Sequence, residues 1–344
     1  DPADTLPPMT PVPLSLRATS LKPSGTLAIA AKAKALARQG VDVLNFSLGE
    51  PDFDTPEAIR KAAIDALGSG QTHYLPTLGD AETRAAIADK LTRENGILGL
   101  SGEHIAISTG AKHSLYLIAH CLLDPNSTRA NEVLLPVPAW VSYAPIAQLA
   151  GGKVVQLPTS PAADFKITPA QLKAAITSRS RLLILNSPSN PCGTMYSPEE
   201  LMAIAAVVAD AAATIAPDLV IVTDEIYEKI VFGGIPHYSI GSTPSVAERT
   251  VTINGMSKAF AMTGWRVGYC AAPGEFGTRL IKAIDNLQGQ MTSCITSFVY
   301  PAIRTALREC SADVERFRHE FARRARVAHD RLKAIPGMVC PTPT

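Results

Sequence analysis

The chain has 344 residues, 46% of them hydrophobic, which is enough for one large core and a second, smaller one. A formal net charge of +1, with 18% charged residues, gives no global attraction to nucleic acid or to an anionic membrane. The longest apolar stretch, 201–216, is Ala-rich and broken by Asp210, so it predicts a buried helix rather than a membrane span. The six cysteines are scattered, with no C-x-x-C pair, and suit free thiols in a reducing compartment.

In chain order, residues 1–13 are rich in Pro, Asp and Thr and read as a loose arm with no secretory signal pattern. Helical spacing at 27–38 stops at Gly40, and 44–48 reads as a short strand running into a turn-rich loop. Thr55-Pro56-Glu57 predicts a helix start with proline at the first helical position. A helix follows over 81–94. Strands are then predicted at 105–108, 132–135, 153–157, 182–186, 219–223, 250–254 and 267–271, with helices at 112–122, 169–176 and 198–213 among them. This alternation predicts a mostly parallel seven-stranded sheet with helices on both faces, an α/β fold that binds ligands at the carboxyl ends of its strands. Near the C-terminus, Val314, Phe317, Phe321, Ala325, Ala328 and Leu332 form one apolar helical face. The opposite face carries an arginine run from Arg316 to Arg331, read as solvated.

Five stretches at the predicted strand ends carry chemistry. After the strand at 250–253, Gly255 breaks the pattern and Ser257-Lys258 follows, with Met256, Phe260 and Met262 around the lysine. Apolar surroundings lower a lysine's pKa by disfavouring the ammonium, and the neutral amine is a nucleophile toward a carbonyl or pyridoxal phosphate. Arg266 offers a permanent planar cation suited to phosphate. Ser108-Thr109-Gly110-Ala111-Lys112 joins a strand to a helix, where free N–H groups form an anion site. Trp140, beyond a strand end, is placed to stack on a flat ring or to serve as an ordinary core aromatic. The proline-rich turn from Ser187 to Gly193 holds the Asn190 amide in one place. Asp224 follows an apolar strand, where a carboxylate is costly unless paired with a cation such as a protonated pyridine nitrogen. The alternative is a helix N-cap. Tyr227 offers a phenol to a ring oxygen. Amine, carboxylate, aromatic, amide, phenol and phosphate site match pyridoxal 5′-phosphate group by group.

These motifs also resemble those of a known family. G-E-P-D-F-D-T-P at Gly49, S-P-S-N-P-C-G at Ser187, D-E-I-Y at Asp224 and S-K-A-F-A-M-T-G-W-R-V-G-Y at Ser257 are similar to class I aminotransferases of the fold-type I pyridoxal-phosphate enzymes. P-A-W-V-S-Y at Pro138 and L-Q-G-Q at Leu287 resemble the aspartate and aspartate/prephenate branch. The resemblance implies transfer of an amino group between aspartate or glutamate and a 2-oxo acid, with a lyase or decarboxylase on the same scaffold, or a non-catalytic relative, as alternatives. By resemblance, Lys258 carries the cofactor and shuttles a proton, with Ser257 beside it. Asp224 holds the ring nitrogen, Tyr227 and Asn190 the ring hydroxyl oxygen, and Trp140 the ring face. Gly110, Ala111 and Arg266 hold the phosphate, with Lys112 beside them as a candidate for the substrate's distal carboxylate. Gly49 is expected near the substrate carboxylate, with Trp140 and Asn190 also toward substrate. Tyr74 implies a homodimer with shared active sites, since it matches a tyrosine that reaches the neighbouring subunit's phosphate.

The resemblance further implies a large domain over 45–290. A small α+β domain is expected from 1–44 and 291–344, with a strand opening at 338–340. The compartment is expected to be the cytoplasm, with the plastid stroma as the alternative. Gly255 departs from a serine that binds phosphate in many relatives. The family's G-A-F-Y stretch and its α-carboxylate arginine are expected beyond Thr344, so the chain is expected to be C-terminally truncated, with Arg17 or Lys22 as substitutes for that arginine.

Overall fold

The computed structural model of the chain describes residues 12–19, 21, 25–46 and 49–343. Its contacts divide it into two units, Asp1–Gly49 and Glu50–Thr344.

The first unit contains α1 (Leu16–Thr19) and α2 (Gly25–Arg38). The Ala and Lys residues of α2 are strong helix formers, and Gly40, at φ +82°, ends it with its N–H on the Ala37 carbonyl. The strand expected at 44–48 is not formed over its described part, 44–46. Residues 41–46 are irregular, and 47–48 lie outside the described residues. Leu44 and Phe46 are exposed, so the described part of this run buries no apolar face.

The second unit is built on a seven-stranded sheet: β1 (Ile105–Ser108), β2 (Glu132–Val137), β3 (Lys153–Pro158), β4 (Ser180–Asn186), β5 (Val220–Asp224), β6 (Thr250–Gly255) and β7 (Gly268–Ala271). The order is β1-β7-β6-β5-β4-β2-β3, with β7 antiparallel to both its neighbours and every other pair parallel. These are the seven predicted runs. In the central strands the pleat explains the consecutive apolar residues. Leu182, Ile184, Val220, Val222, Val251 and Ile253 enter one core, and the alternating Leu183, Leu185, Leu219 and Ile221 enter another, so both faces are covered.

The helices of this unit are α3 (Glu57–Gly68), α4 (Ala81–Asn95), α5 (Ala111–Leu122), α6 (Tyr143–Leu149), α7 (Pro169–Ala175), α8 (Pro198–Thr214), α9 (Gly274–Gly289), α10 (Tyr300–Glu309) and α11 (Ser311–Lys333). Pro56 precedes α3 as its N-cap, at φ −47° and ψ 140°, one residue earlier than predicted. Ser197 and Glu200 form a reciprocal capping box at the start of α8, which buries Leu201, Ile204 and Val208 and leaves Asp210 exposed. No helix among the described residues is long and apolar enough to cross a membrane.

Tyr300, Ala302 and Ile303 of α10 pack with Ile59, Ile87, Leu91, Ile107 and Tyr269. Phe317 of α11 stacks on Phe53 with ring centres 4.3 Å apart. The apolar face of α11 is buried only at its start: Phe317 is 3% exposed and Leu332 42%. Its arginines pair with carboxylates nearby, Arg318 with Glu315 at 2.6 Å and Arg323 with Glu320 at 2.7 Å. Residues 338–340 are irregular, and among the described residues no strand lies outside the sheet.

Candidate active site

The site forms at the carboxyl ends of β4, β5 and β6 and at the turn between β1 and α5. Asp224 closes β5 and is 6% exposed. Its Oδ2 accepts the Tyr143 hydroxyl at 2.8 Å, and Oδ1 accepts the Ile226 N–H at 3.1 Å. Burial raises its pKa; the two hydrogen bonds and the Lys258 charge pull the other way without cancelling the rise. No α-helix begins at Asp224, which removes the helix-cap alternative.

Beyond the buried β6 strand, Met256, Phe260 and Met262 are all buried around the half-buried Lys258. Its Nζ lies 5.8 Å from the centre of the Tyr227 ring. Burial lowers the Lys258 pKa; Glu50 opposes this, Arg266 adds to it, and Asp224 opposes it, with the net effect downward. The amine is therefore shifted toward its nucleophilic neutral form. Ser257, the residue before it, accepts the Met262 N–H on its carbonyl at 3.2 Å.

The Asn190 side chain donates to the Tyr227 hydroxyl at 3.3 Å. Its own N–H donates to the Asn186 side-chain oxygen at 2.7 Å, and the Asn186 amide donates to the Asp224 carbonyl at 2.9 Å. The β4 turn is thus tied to the end of β5. Trp140, half-buried, meets Tyr143 edge to face at 5.3 Å, and the Lys112 Nζ lies 4.8 Å from a Trp140 ring centre. Though Lys112 is exposed, partial desolvation of its ammonium and the Arg266 charge lower its pKa. A cleft lined by Ala139, Tyr143, Asn186 and Asn190 opens alongside.

Two glycines shape the cradle. Gly110, at φ +88°, precedes α5 with no side chain capping the helix start. A Cβ on it would lie 2.3 Å from Arg266 Nη2. A Cβ on Gly268 would lie 2.1 Å from the Ala111 nitrogen, so β7 passes the first turn of α5 at a distance no side chain permits. Arg266, at φ +56°, donates through Nη1 to the Thr263 carbonyl at 2.7 Å. An uncapped helix start beside a guanidinium is an anion site. The departure at Gly255 has a packing cause: a Cβ there would lie 2.7 Å from the Val267 carbonyl oxygen.

The family model for aminotransferase class I and II matches residues 41–344. The chain belongs to this family. An aspartate aminotransferase of Geobacillus stearothermophilus is 42% identical over 331 residues, spanning 96% of this chain and 80% of that relative. An aspartate/prephenate aminotransferase of Nitrosomonas europaea is 40% identical over 328 residues, spanning 95% and 79%. Among solved structures, the aspartate aminotransferase of Rhizobium meliloti superposes with a TM-score of 0.88 at 37% identity, over 96% of this chain and 80% of that one. That of Thermus thermophilus with maleate gives 0.84 at 38%, over 94% and 79%.

As a class I and II aminotransferase the protein uses pyridoxal 5′-phosphate, and the site fits it. Asp224 is a buried carboxylate whose hydrogen bonds come from neutral donors, leaving a cationic ring nitrogen as the partner that offsets its burial. The space beside Gly110, which a Cβ would fill, adjoins Arg266. The structure brings together Lys258, Ser257, Asp224, Tyr227, Asn190, Trp140, Gly110, Ala111, Lys112 and Arg266. It leaves Tyr74 89% exposed in the loop between α3 and α4, while Gly49 closes the first unit. Sequence reasoning on this aminotransferase missed Tyr143 and Asn186. The signal for Tyr143 was the rule that a buried carboxylate needs donors, applied to a tyrosine three residues after Trp140. Asn186 carried no signal of its own.

Proposed function

We propose that this aminotransferase moves an amino group between an acidic amino acid, aspartate or glutamate, and a 2-oxo acid such as oxaloacetate, 2-oxoglutarate or prephenate, by a ping-pong mechanism. The observation that carries this reading is Lys112, whose exposed ammonium lies over Trp140 beside the cradle. It is a second cation at the site, besides the arginine that fits a phosphate. The printed names of the relatives, aspartate and aspartate/prephenate aminotransferase, support it, as does a solved relative holding maleate, a dicarboxylate.

Bound pyridoxal phosphate supplies an electron sink for the bond broken at the substrate Cα. Lys258 would hold the cofactor covalently, and its amine would move the proton at the substrate Cα. Asp224 would keep the ring nitrogen protonated. Tyr227 and Asn190 would orient the ring oxygen, and Trp140 would cover the ring face and exclude water. Gly110, Ala111 and Arg266 would bind the phosphate. The exposed Tyr74 reaches the phosphate of a second copy, making the working enzyme a homodimer with shared sites. Six free thiols suit a reducing compartment, the cytoplasm.

The test is a panel of amino donors and oxo acids, with products identified, on the parent and on Lys112→Ala. The variant should lose about 1.5–3 kcal/mol, roughly ten- to a hundredfold in kcat/KM, for aspartate and glutamate. Neutral donors should change by less than about threefold. Equal losses for both classes would assign Lys112 to the phosphate or to packing.

A further inference from the structure

Two carboxylates border the residues assigned to the cofactor: Glu225 follows Asp224, and Glu228 follows Tyr227. Neither has a part in the chemistry above, and both are inside the protein. Glu225 is 1% exposed, and the Glu228 side chain is 8% exposed. Lys90 of α4, its side chain 4% exposed, ion-pairs with Glu228 and donates to the Asn95 side-chain oxygen at 2.8 Å. The Asn95 amide donates to Glu228 at 2.6 Å and to Glu225 at 3.2 Å. Ser239 and Thr223 hydroxyls donate to the remaining Glu225 oxygen at 2.8 and 3.3 Å. The His237 Nε2 lies 3.8 Å from Glu225, and the ring also hydrogen-bonds the backbone of Ser187, at the base of the turn that carries Asn190.

This cluster joins α4, the end of β5, the 237–239 loop and the β4 turn. Three of its members, Glu225, Glu228 and His237, have ligand atoms within 4.8 Å of one another, but the Lys90 ammonium already supplies the cation there. Stability alone does not account for the cluster, because buried ion pairs are often no better than well-packed apolar side chains of the same volume. What the cluster has that apolar packing lacks is direction. Residues 225–230 form no helix or strand; their backbone is held by the Glu225 N–H on the Ile253 carbonyl at 2.9 Å and by turn bonds from Glu228 to Glu225 and from Ile230 to Tyr227. The side chains on either side fix where that turn sits.

We propose that Lys90, Asn95 and His237 are positioning residues of this aminotransferase: Lys90 and Asn95, by clamping Glu225 and Glu228, fix the Asp224–Tyr227 turn against the cofactor, and His237, packed against Glu225 and hydrogen-bonded to the Ser187 backbone, ties it to the turn that carries Asn190. The inference rests on the roles given above to Asp224 and Tyr227. Charge balance agrees with it. Burial pushes the Glu228 carboxyl up, but the Lys90 and His237 charges and the hydrogen bonds from Lys90 and Asn95 bring it down to about 2. Burial and then the Glu228 charge push Glu225 up to about 8, against Ser239, Lys90 and Thr223. The Lys90 ammonium thus faces the Glu228 carboxylate, with Glu94 3.9 Å away and itself paired with Lys229, while burial favours the uncharged forms of Glu225 and His237.

The test uses the holoenzyme. The double variant Lys90→Met/Glu228→Gln removes both charges and leaves neither bare. His237→Phe cuts the link to Ser187 and keeps the ion pair, so it carries the test should the double variant not fold. The readouts are the pH midpoint of the bound cofactor's absorbance, the cofactor Kd, kcat and KM separately, and Tm. A catalytic group displaced by about 1 Å costs about a hundredfold, so partial loosening should lower kcat by roughly ten- to a hundredfold, with KM within about threefold. The midpoint should move by more than about half a pH unit, as expected when the charged partner of the ring is displaced. Parental midpoint, Kd and kcat with a lowered Tm would overturn the proposal and leave the cluster a structural one. Asp224→Asn is measured alongside. If it leaves the midpoint unmoved, the role of Asp224 has failed. If it moves the midpoint and the cluster variants do not, the positioning proposal alone has failed.

Discussion

Glu225→Gln should change how the stability of the fold depends on pH. The Glu225 carboxyl is enclosed by Ser239, Thr223, Asn95 and His237, with Glu228 near enough to add its charge. Burial first and that charge second raise its pKa from 4.5 to about 8. An unfolded chain keeps the lower value. Between the two, the folded protein holds a proton that the unfolded chain has released, so unfolding becomes easier as pH rises. The contribution is fully present below 4.5 and is gone once pH has risen through about 8. Each pH unit in that window removes about 1.4 kcal/mol, with a ceiling of about 5 kcal/mol across it. The glutamine keeps the shape and the neutral state at every pH. Urea unfolding of the apoprotein at pH 5, 6, 7 and 8, followed by far-UV circular dichroism, gives the stability of each protein. The parent should lose about 3–4 kcal/mol relative to the variant from pH 5 to 8. Groups common to both, such as His113, whose imidazole burial pushes down, cancel in the difference. A difference flat to within about 1 kcal/mol over that range would mean that Glu225 is ionised in the fold and that the charge balance assigned to the cluster is wrong.

Borohydride reduction of the holoenzyme followed by peptide mapping should place the pyridoxyl group on Lys258; a label on Lys229 or Lys282 would refute the assignment. Asp224→Ala should lower kcat/KM by about a thousandfold, about 4 kcal/mol, with the circular dichroism unchanged. A loss within about tenfold would leave Asp224 a purely structural residue. Gly268→Ala puts a Cβ where the Ala111 nitrogen lies 2.1 Å away, so the start of α5 must move. It should cost about 1–3 kcal/mol in urea unfolding and weaken cofactor binding by roughly tenfold or more in equilibrium dialysis, and an unchanged affinity would separate this crossing from the phosphate cradle.

Most of the strands were legible because both faces of the sheet are covered, so β4 and β5 are apolar at consecutive positions, while β6 alternates. Leu182 through Leu185 feed two different cores in alternation. The run at 44–48 alternates as Thr250–Ile253 does, but a strand is defined by its partner, which no local pattern contains. Lys258, Asp224 and Arg266 were legible for the opposite reason: each is charged where its neighbours are apolar or turn-forming, and each needs a counterpart. Their supports were not. Tyr143 reaches Asp224 from 81 residues away, and Asn95 reaches Glu228 from 133. Gly268 matters through a side chain it does not have, which only the crossing of β7 and α5 shows.

The pair Asp224-Glu225 shows where reading the sequence stops and geometry takes over. In sequence it is one acidic doublet after an apolar strand, and nothing distinguishes its halves. The pleat sends consecutive side chains to opposite sides. Asp224 therefore meets Tyr143, which packs in the core with Leu135 and Ile146, and lies within reach of the Lys258 charge. Glu225 meets Asn95, at the end of the helix whose Ile87 and Leu91 belong to a different core. One carboxylate is left for a cationic ring nitrogen, while the other is surrounded by hydroxyls and an amide that keep it in place. A single peptide step thus separates the residue assigned to the chemistry from the residue that anchors it. A substitution at Glu225 should accordingly be felt at Asp224 through position and not through charge.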